Sequence, residues 1–149
     1  MDLVGRKLPR DGGRAIRALF AEVDQQIAEA KDRPALADLV QRLEKAKGEL
    51  QAATLWLMQN ALANPNNGGA AAYSYMQLTG IVALGLMWLR IADAASQRLE
   101  QGDGDRQWLE AKLVTARFFA ERLMPDAGAL RRKIEGGADA LMQLDADAF

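Results

Sequence analysis

The residue types that usually do chemistry are scarce in this 149-residue chain, which has no histidine and no cysteine. The commonest general base and metal ligand is therefore missing, and so are thiol nucleophiles, thiolate metal sites and disulfides. Any reaction would rest on carboxylates, lysine, tyrosine or a bound cofactor. Each candidate also has a plainer explanation. Trp56, Tyr73, Tyr75 and Trp88 could line a pocket for a flat ligand, but aromatics at helical spacing beside Leu and Met are more often core. Arg117, set among apolar neighbours, could clamp a phosphate or carboxylate; pairing with Glu121 one turn on, or with a carboxylate on a facing helix, is expected instead. Arg131-Arg132-Lys133 is the one dense basic cluster after Arg122, and three charges on a helix usually mark a solvated face. Glu110 and Glu121 lie on amphipathic helices, where solvation or ion pairing accounts for them. Asp145 and Asp147 sit too near the C-terminus to promise a metal site. No nucleophile–base pair or paired-carboxylate arrangement stands out.

The elements that would hold these residues are organised by charge. Forty consecutive positions, Leu50 to Leu89, carry no Asp, Glu, Lys or Arg, and the other 109 residues hold all 39 charges. Such a segment is either the centre of a helical bundle or part of a membrane. A span needs about 20 mainly apolar residues, and Ala70 to Leu89 is long enough. However, Tyr73, Ser74, Tyr75, Gln77 and Thr79 load its first half with polar groups. Leu50 to Ala63 is too short to span, and a solvated helical pattern resumes after Arg90. The expectation is a soluble bundle with a buried hairpin, turning at Asn64-Pro65-Asn66-Asn67-Gly68-Gly69.

Apolar spacing of three and four residues recurs between the Pro and Gly breaks. It predicts helices over about 12–31, 34–63, 69–101, 105–123 and 126–144. Asp11 would cap the first, whose stripe is Ile16, Leu19, Phe20, Val23 and Ile27. Pro34 suits the first turn of the second, in which Leu36, Leu39, Val40, Leu43, Ala46, Leu50, Ala53 and Leu57 form the buried face. The third is apolar all round in its first twenty residues, which predicts neighbours on every side; Gly80, Ala83 and Gly85 should allow close approach. Leu109, Leu113, Ala116, Phe119 and Leu123 should line the fourth helix. Leu130, Ile134, Leu141 and Met142 should line the fifth, with a weak point at Gly136-Gly137. No strand or phosphate-binding glycine loop is predicted. The fold class is all-α: one domain over 1–149, an antiparallel bundle of four to five helices with a buried central hairpin.

A net charge of −1 gives no general attraction for nucleic acid or anionic membrane, so neither is expected as a partner. The lack of cysteine and of a signal-peptide pattern at the N-terminus suits the cytoplasm.

Several runs together resemble a known family: Asn64-Pro-Asn-Asn-Gly-Gly-Ala-Ala-Ala-Tyr73, Gly80-Ile-Val-Ala-Leu-Gly-Leu-Met-Trp88, Ala116-Arg-Phe-Phe-Ala-Glu-Arg122 and Ile134-Glu-Gly-Gly-Ala-Asp-Ala-Leu-Met142. In order, they are similar to the C-terminal extension of flavin-dependent acyl-CoA dehydrogenases, in the branch that includes 3-methylmercaptopropionyl-CoA dehydrogenases. Asp2-Leu-Val-Gly-Arg-Lys-Leu8 resembles the helix after that family's catalytic segment. The family's Tyr-Glu-Gly motif with its glutamate base, and its flavin-contacting Asn-Gly-Ile-Gln run, are not in this sequence. The resemblance places the chain just downstream of both, with Met1 an added start. It implies a parent that removes hydrogen from the α and β carbons of an acyl-CoA using FAD. This chain would then be a structural and oligomerising part, inactive alone, with no catalytic, cofactor-binding or metal-binding residue of its own. Its partners would be the rest of the dehydrogenase and its other subunits. A DNA-binding helical domain of a related protein, or a free-standing helical interaction module, are the alternatives.

Overall fold

The computed structural model of the chain describes residues 1–148, except the side chain of Ala146. Five helices carry the fold: α1 Arg14–Ala30, α2 Ala37–Asn60, α3 Pro65–Gln101, α4 Arg106–Arg122 and α5 Asp126–Glu135. No strand occurs among the described residues. The all-α bundle read from the sequence is the fold observed. α3 is its axis and packs against each of the other four helices.

Local chemistry explains where α3 begins and ends. Asn64 is extended (φ −139°) and its side chain accepts the Asn66 N–H at 3.1 Å, while Pro65 takes the first helical position. Both are favourable at an N-terminus. The hairpin therefore turns earlier than the expected Asn64–Gly69, through Ala61–Asn64. At the other end Gly102 adopts φ +68° and its N–H reaches the carbonyls of Arg98 and Leu99, a left-handed close that glycine accepts without steric cost. Asp105 then caps α4 by accepting the Trp108 N–H at 3.2 Å.

The boundaries differ most at the two ends of the chain. Asp11 does not cap α1. It stands at φ +52° before two further left-handed residues, Gly12 and Gly13, so Gly13 occupies the capping position. The Asp11 carboxylate instead lies 3.3 Å from Arg14. The fifth helix stops at Glu135 because Gly137 turns left-handed at φ +65°. Leu130 and Ile134 are buried as expected, but Leu141 and Met142 lie beyond the break and are exposed. Leu123, expected on the inner face of the fourth helix, lies just past α4 and is also exposed.

The core follows the predicted inner stripes. Leu43, Leu50 and Leu57 of α2 meet Tyr75, Leu78, Val82, Leu86 and Leu89 of α3, all essentially without solvent contact. Before α1, Val4 and Leu8 join this core from a wide helical turn over Leu3–Lys7. The close approach falls at Gly85, not Gly80. A Cβ on Gly85 would stand 2.6 Å from Met124 Cε and 2.9 Å from Leu43 Cδ1, whereas one on Gly80 would meet nothing within 4 Å.

Buried polar groups are paired across helices. Tyr75 Oη and Thr54 Oγ1 are 2.8 Å apart, and Thr54 also donates to the Leu50 carbonyl at 2.7 Å. Burial pushes the Tyr75 phenol above the ordinary range, and the Thr54 hydrogen bond works against that rise. Arg33 ties the start of α2 to α3 by contacts to Asp93 at 3.1 Å and Glu100 at 2.9 Å.

A candidate docking face along the third helix

The uncharged hairpin is buried on one side only. Tyr73, Met76, Leu84, Met87 and Ile91 are 66, 53, 53, 40 and 39 % exposed. The expectation that α3 would have neighbours on every side is therefore wrong for this face. Four helices cover one side and leave an uncharged, mainly apolar stripe on the other. Along it, Tyr73, Gln77, Gly80, Leu84, Met87 and Ile91 follow spacings of four, three, four, three and four residues. This is the period of a seam between packed helices. Beside it, a groove of about 450 Å³ runs between α3, α4 and α5, with Ile81, Leu84, Phe119, Leu123 and Leu130 in its walls and Asp126 and Lys133 at its rim.

A second apolar face lies at the tip of the hairpin. Leu55, Met58 and Leu62 of α2 and the loop after it are exposed. Met58 and Leu62 also line an apolar groove of about 440 Å³ closed by Val4, Leu8, Pro65 and Gly68. Both faces are suited to covering apolar protein surface.

The residues singled out for chemistry do not converge. Tyr75 is sealed in the core against Thr54, while Tyr73 is exposed and accepts a hydrogen bond from Gln77 at 2.7 Å. Trp56 and Trp88 are half-buried against the core, and Trp56 lies beside Gly137. The four aromatics thus make no shared pocket. Arg117 is exposed and makes no ion pair among the described residues, so the expected bridge to Glu121 is not formed. Arg131 leaves the supposed solvated cluster and packs between helices, 3.1 Å from Glu49 on α2 and 3.2 Å from Glu135. Arg132 and Lys133 remain exposed. Glu110 pairs with Arg106 at 2.8 Å. Asp145 and Asp147 are exposed, and no acidic cluster able to hold a metal occurs among the described residues. α3 is long and apolar enough to cross a membrane by length and composition; here it is the central helix of the packed bundle.

The comparisons with known proteins decide the family. The family model described as acetyl-CoA dehydrogenase C-terminal like matches residues 19–145. The chain belongs to that family. It is 33 % identical over 142 residues to the 3-methylmercaptopropionyl-CoA dehydrogenase of Ruegeria pomeroyi, covering 95 % of this chain and 24 % of that protein. It is 31 % identical over 156 residues to the broad-specificity linear acyl-CoA dehydrogenase FadE5 of Mycobacterium tuberculosis, covering 99 % of this chain and 26 % of that protein. The chain thus spans about a quarter of the length of these curated relatives.

Gly80–Trp88 is the middle of the exposed stripe of α3 and the close contact at Gly85, and Ala116–Arg122 is the part of α4 beside it. Asn64–Tyr73 builds the cap and first turns of α3. The exposed stripe was the element that sequence reasoning missed. Its signal was present, since α3 carries two apolar stripes, and one helix flank seldom needs both.

Proposed function

We propose that this chain is the C-terminal structural part of an FAD-dependent acyl-CoA dehydrogenase, acting by covering and joining apolar protein surfaces. The observation that carries it is the match of nearly the whole chain to one quarter of each dehydrogenase. The two uncovered apolar faces support it, because a part of a larger assembly leaves such faces for its neighbours. Its partners are then the remaining three quarters of the dehydrogenase and the other subunits of a homo-oligomer in the cytoplasm. The substrate class is an acyl-CoA thioester, with 3-methylmercaptopropionyl-CoA one candidate on the strength of the Ruegeria relative's name.

The aromatic residues and the two apolar grooves do not fit a flavin. The four aromatics are dispersed, one of them sealed in the core. The two grooves are walled mainly by aliphatic side chains, and neither gathers the donors that a diphosphate requires. The flavin and the catalytic base belong, in this proposal, to the rest of the enzyme.

The test is to tag the gene product in its native cell and purify it. Flavin absorbance and acyl-CoA-dependent reduction of an artificial electron acceptor should travel with the tag. The 149-residue chain alone should show neither. Native purification of a free 16.3 kDa protein without flavin would overturn the proposal, and turnover by the isolated chain would overturn the division of labour.

A further inference from the structure

We infer that the outer stripe of α3 is a two-fold contact between two copies of this chain. The inference deepens the oligomeric part of the proposal above and rests on the geometry of the stripe. A two-fold axis in the contact plane, passing α3 at the level of Val82, runs the two helices antiparallel. It places Tyr73 opposite Ile91, Gln77 opposite Met87 and Gly80 opposite Leu84 of the second copy. The last pairing sets a large side chain against a glycine whose Cβ position is free to 4 Å, so a knob meets a hole twice across the axis. No charge lies in α3 between Pro65 and Leu89 to oppose the contact.

The rim of the groove is complementary under the same operation. α5 runs antiparallel to α3, since Met124 lies against Gly85 while Gly137 and the Ala138 N–H lie against Asn67. Asp126 therefore stands toward the Leu84 end of the groove and Lys133 toward the Gln77 end. The axis brings both α5 helices to one side, antiparallel, and Asp126 of each copy approaches Lys133 of the other. Neither residue makes an ion pair within its own chain among the described residues. The stripe is about 27 Å long and, with its flanking helices, about 20 Å wide, which gives roughly 500 Å² per copy. That total sits near the lower limit for a specific interface, so the contact is a concentration-dependent one.

Sedimentation equilibrium of the whole 149-residue chain tests this. The wild type should fit a monomer–dimer equilibrium in the micromolar range. Leu84→Glu should weaken it by about tenfold or more, because it puts a carboxylate in the middle of the seam. Gly80→Leu should do the same by filling the hole, and its Cβ meets nothing within its own chain to 4 Å, so, once its fold is verified by circular dichroism, it decides the matter if Leu84→Glu folds poorly. Asp126→Lys should weaken the dimer, and adding Lys133→Asp should restore it. Leu62→Glu, on the hairpin tip, should leave it unchanged. A strict monomer overturns the contact while leaving the dehydrogenase assignment standing. A dimer that survives Leu84→Glu and Gly80→Leu but is lost with Leu62→Glu overturns the stripe while keeping self-association.

Discussion

The two faces of α3 have nearly the same composition and opposite surroundings. On the inner face Ala71, Tyr75, Leu78, Val82, Leu86 and Leu89 have at most 1 % of their surface exposed. On the outer face Tyr73, Met76, Leu84 and Met87 have 40 to 66 % exposed. Both sets recur with helical period, and neither contains a charge. The comparison teaches that a run without charge does not by itself say which of its faces the fold will bury. The inner face is covered when the chain folds; the outer face is left exposed by the chain's own packing.

The sharpest way to break this comparison is to cut the same group from each face. Leu78→Ala should lower stability by about 2–5 kcal/mol, as removal of a fully packed leucine does. Leu84→Ala should stay within about 0.5 kcal/mol when measured on dilute, monomeric protein. Equal losses in thermal or urea denaturation would mean that the outer face is packed as tightly as the inner.

The glycines allow a second contrast. Gly85→Leu should cost about 1–3 kcal/mol, because the new side chain runs into Met124 and Leu43. Wild-type stability in this variant would show that α3 is not held as close to Leu43 of α2 and to Met124 as seen here.

Tyr75→Phe probes the polar contact in the inner face. It should cost about 0.5–1.5 kcal/mol, kept moderate because Thr54 retains its bond to the Leu50 carbonyl. The folded state favours the protonated phenol, so this contribution is whole below the unfolded value of about 10 and is lost as pH climbs through the raised folded value. The wild type should accordingly lose its advantage over Tyr75→Phe above about pH 10. A gap that widens with pH in denaturant titrations would contradict the sealed environment of Tyr75.

The smallest effect has the opposite sign. Gly80→Ala should stabilise the monomer by up to about 1 kcal/mol, since alanine is the better helix former and a Cβ there meets nothing. A loss of stability would place an unseen neighbour over Gly80.

Much of this molecule could be read from its residues. The heptad-like run from Leu36 to Leu57 predicted the buried face of α2, and every residue named in it is buried. The start of α3 was misplaced: Asn64 and Pro65 were read as part of the turn, whereas Asn64 caps the helix and Pro65 is its first residue. Asp11 misled because three successive left-handed residues redirect the chain before α1, and a side chain can cap only if the backbone aims it. Leu141 and Met142 misled for a related reason: they keep the helical period of α5, but Gly137 ends the helix before they can share its face.

The candidate site was less legible, because exposure is a property of packing. By itself the sequence determined the helical class, the inner stripes and the separation of charged from uncharged segments, all of which follow from local propensity and apolar period. Only the tertiary structure decided which side of α3 its four neighbours cover, that Gly85 and not Gly80 marks the close contact, and that Arg131 turns inward to Glu49. Those outcomes depend on where helices distant in sequence settle against one another, and a single helix carrying two apolar stripes does not say which of them is left exposed.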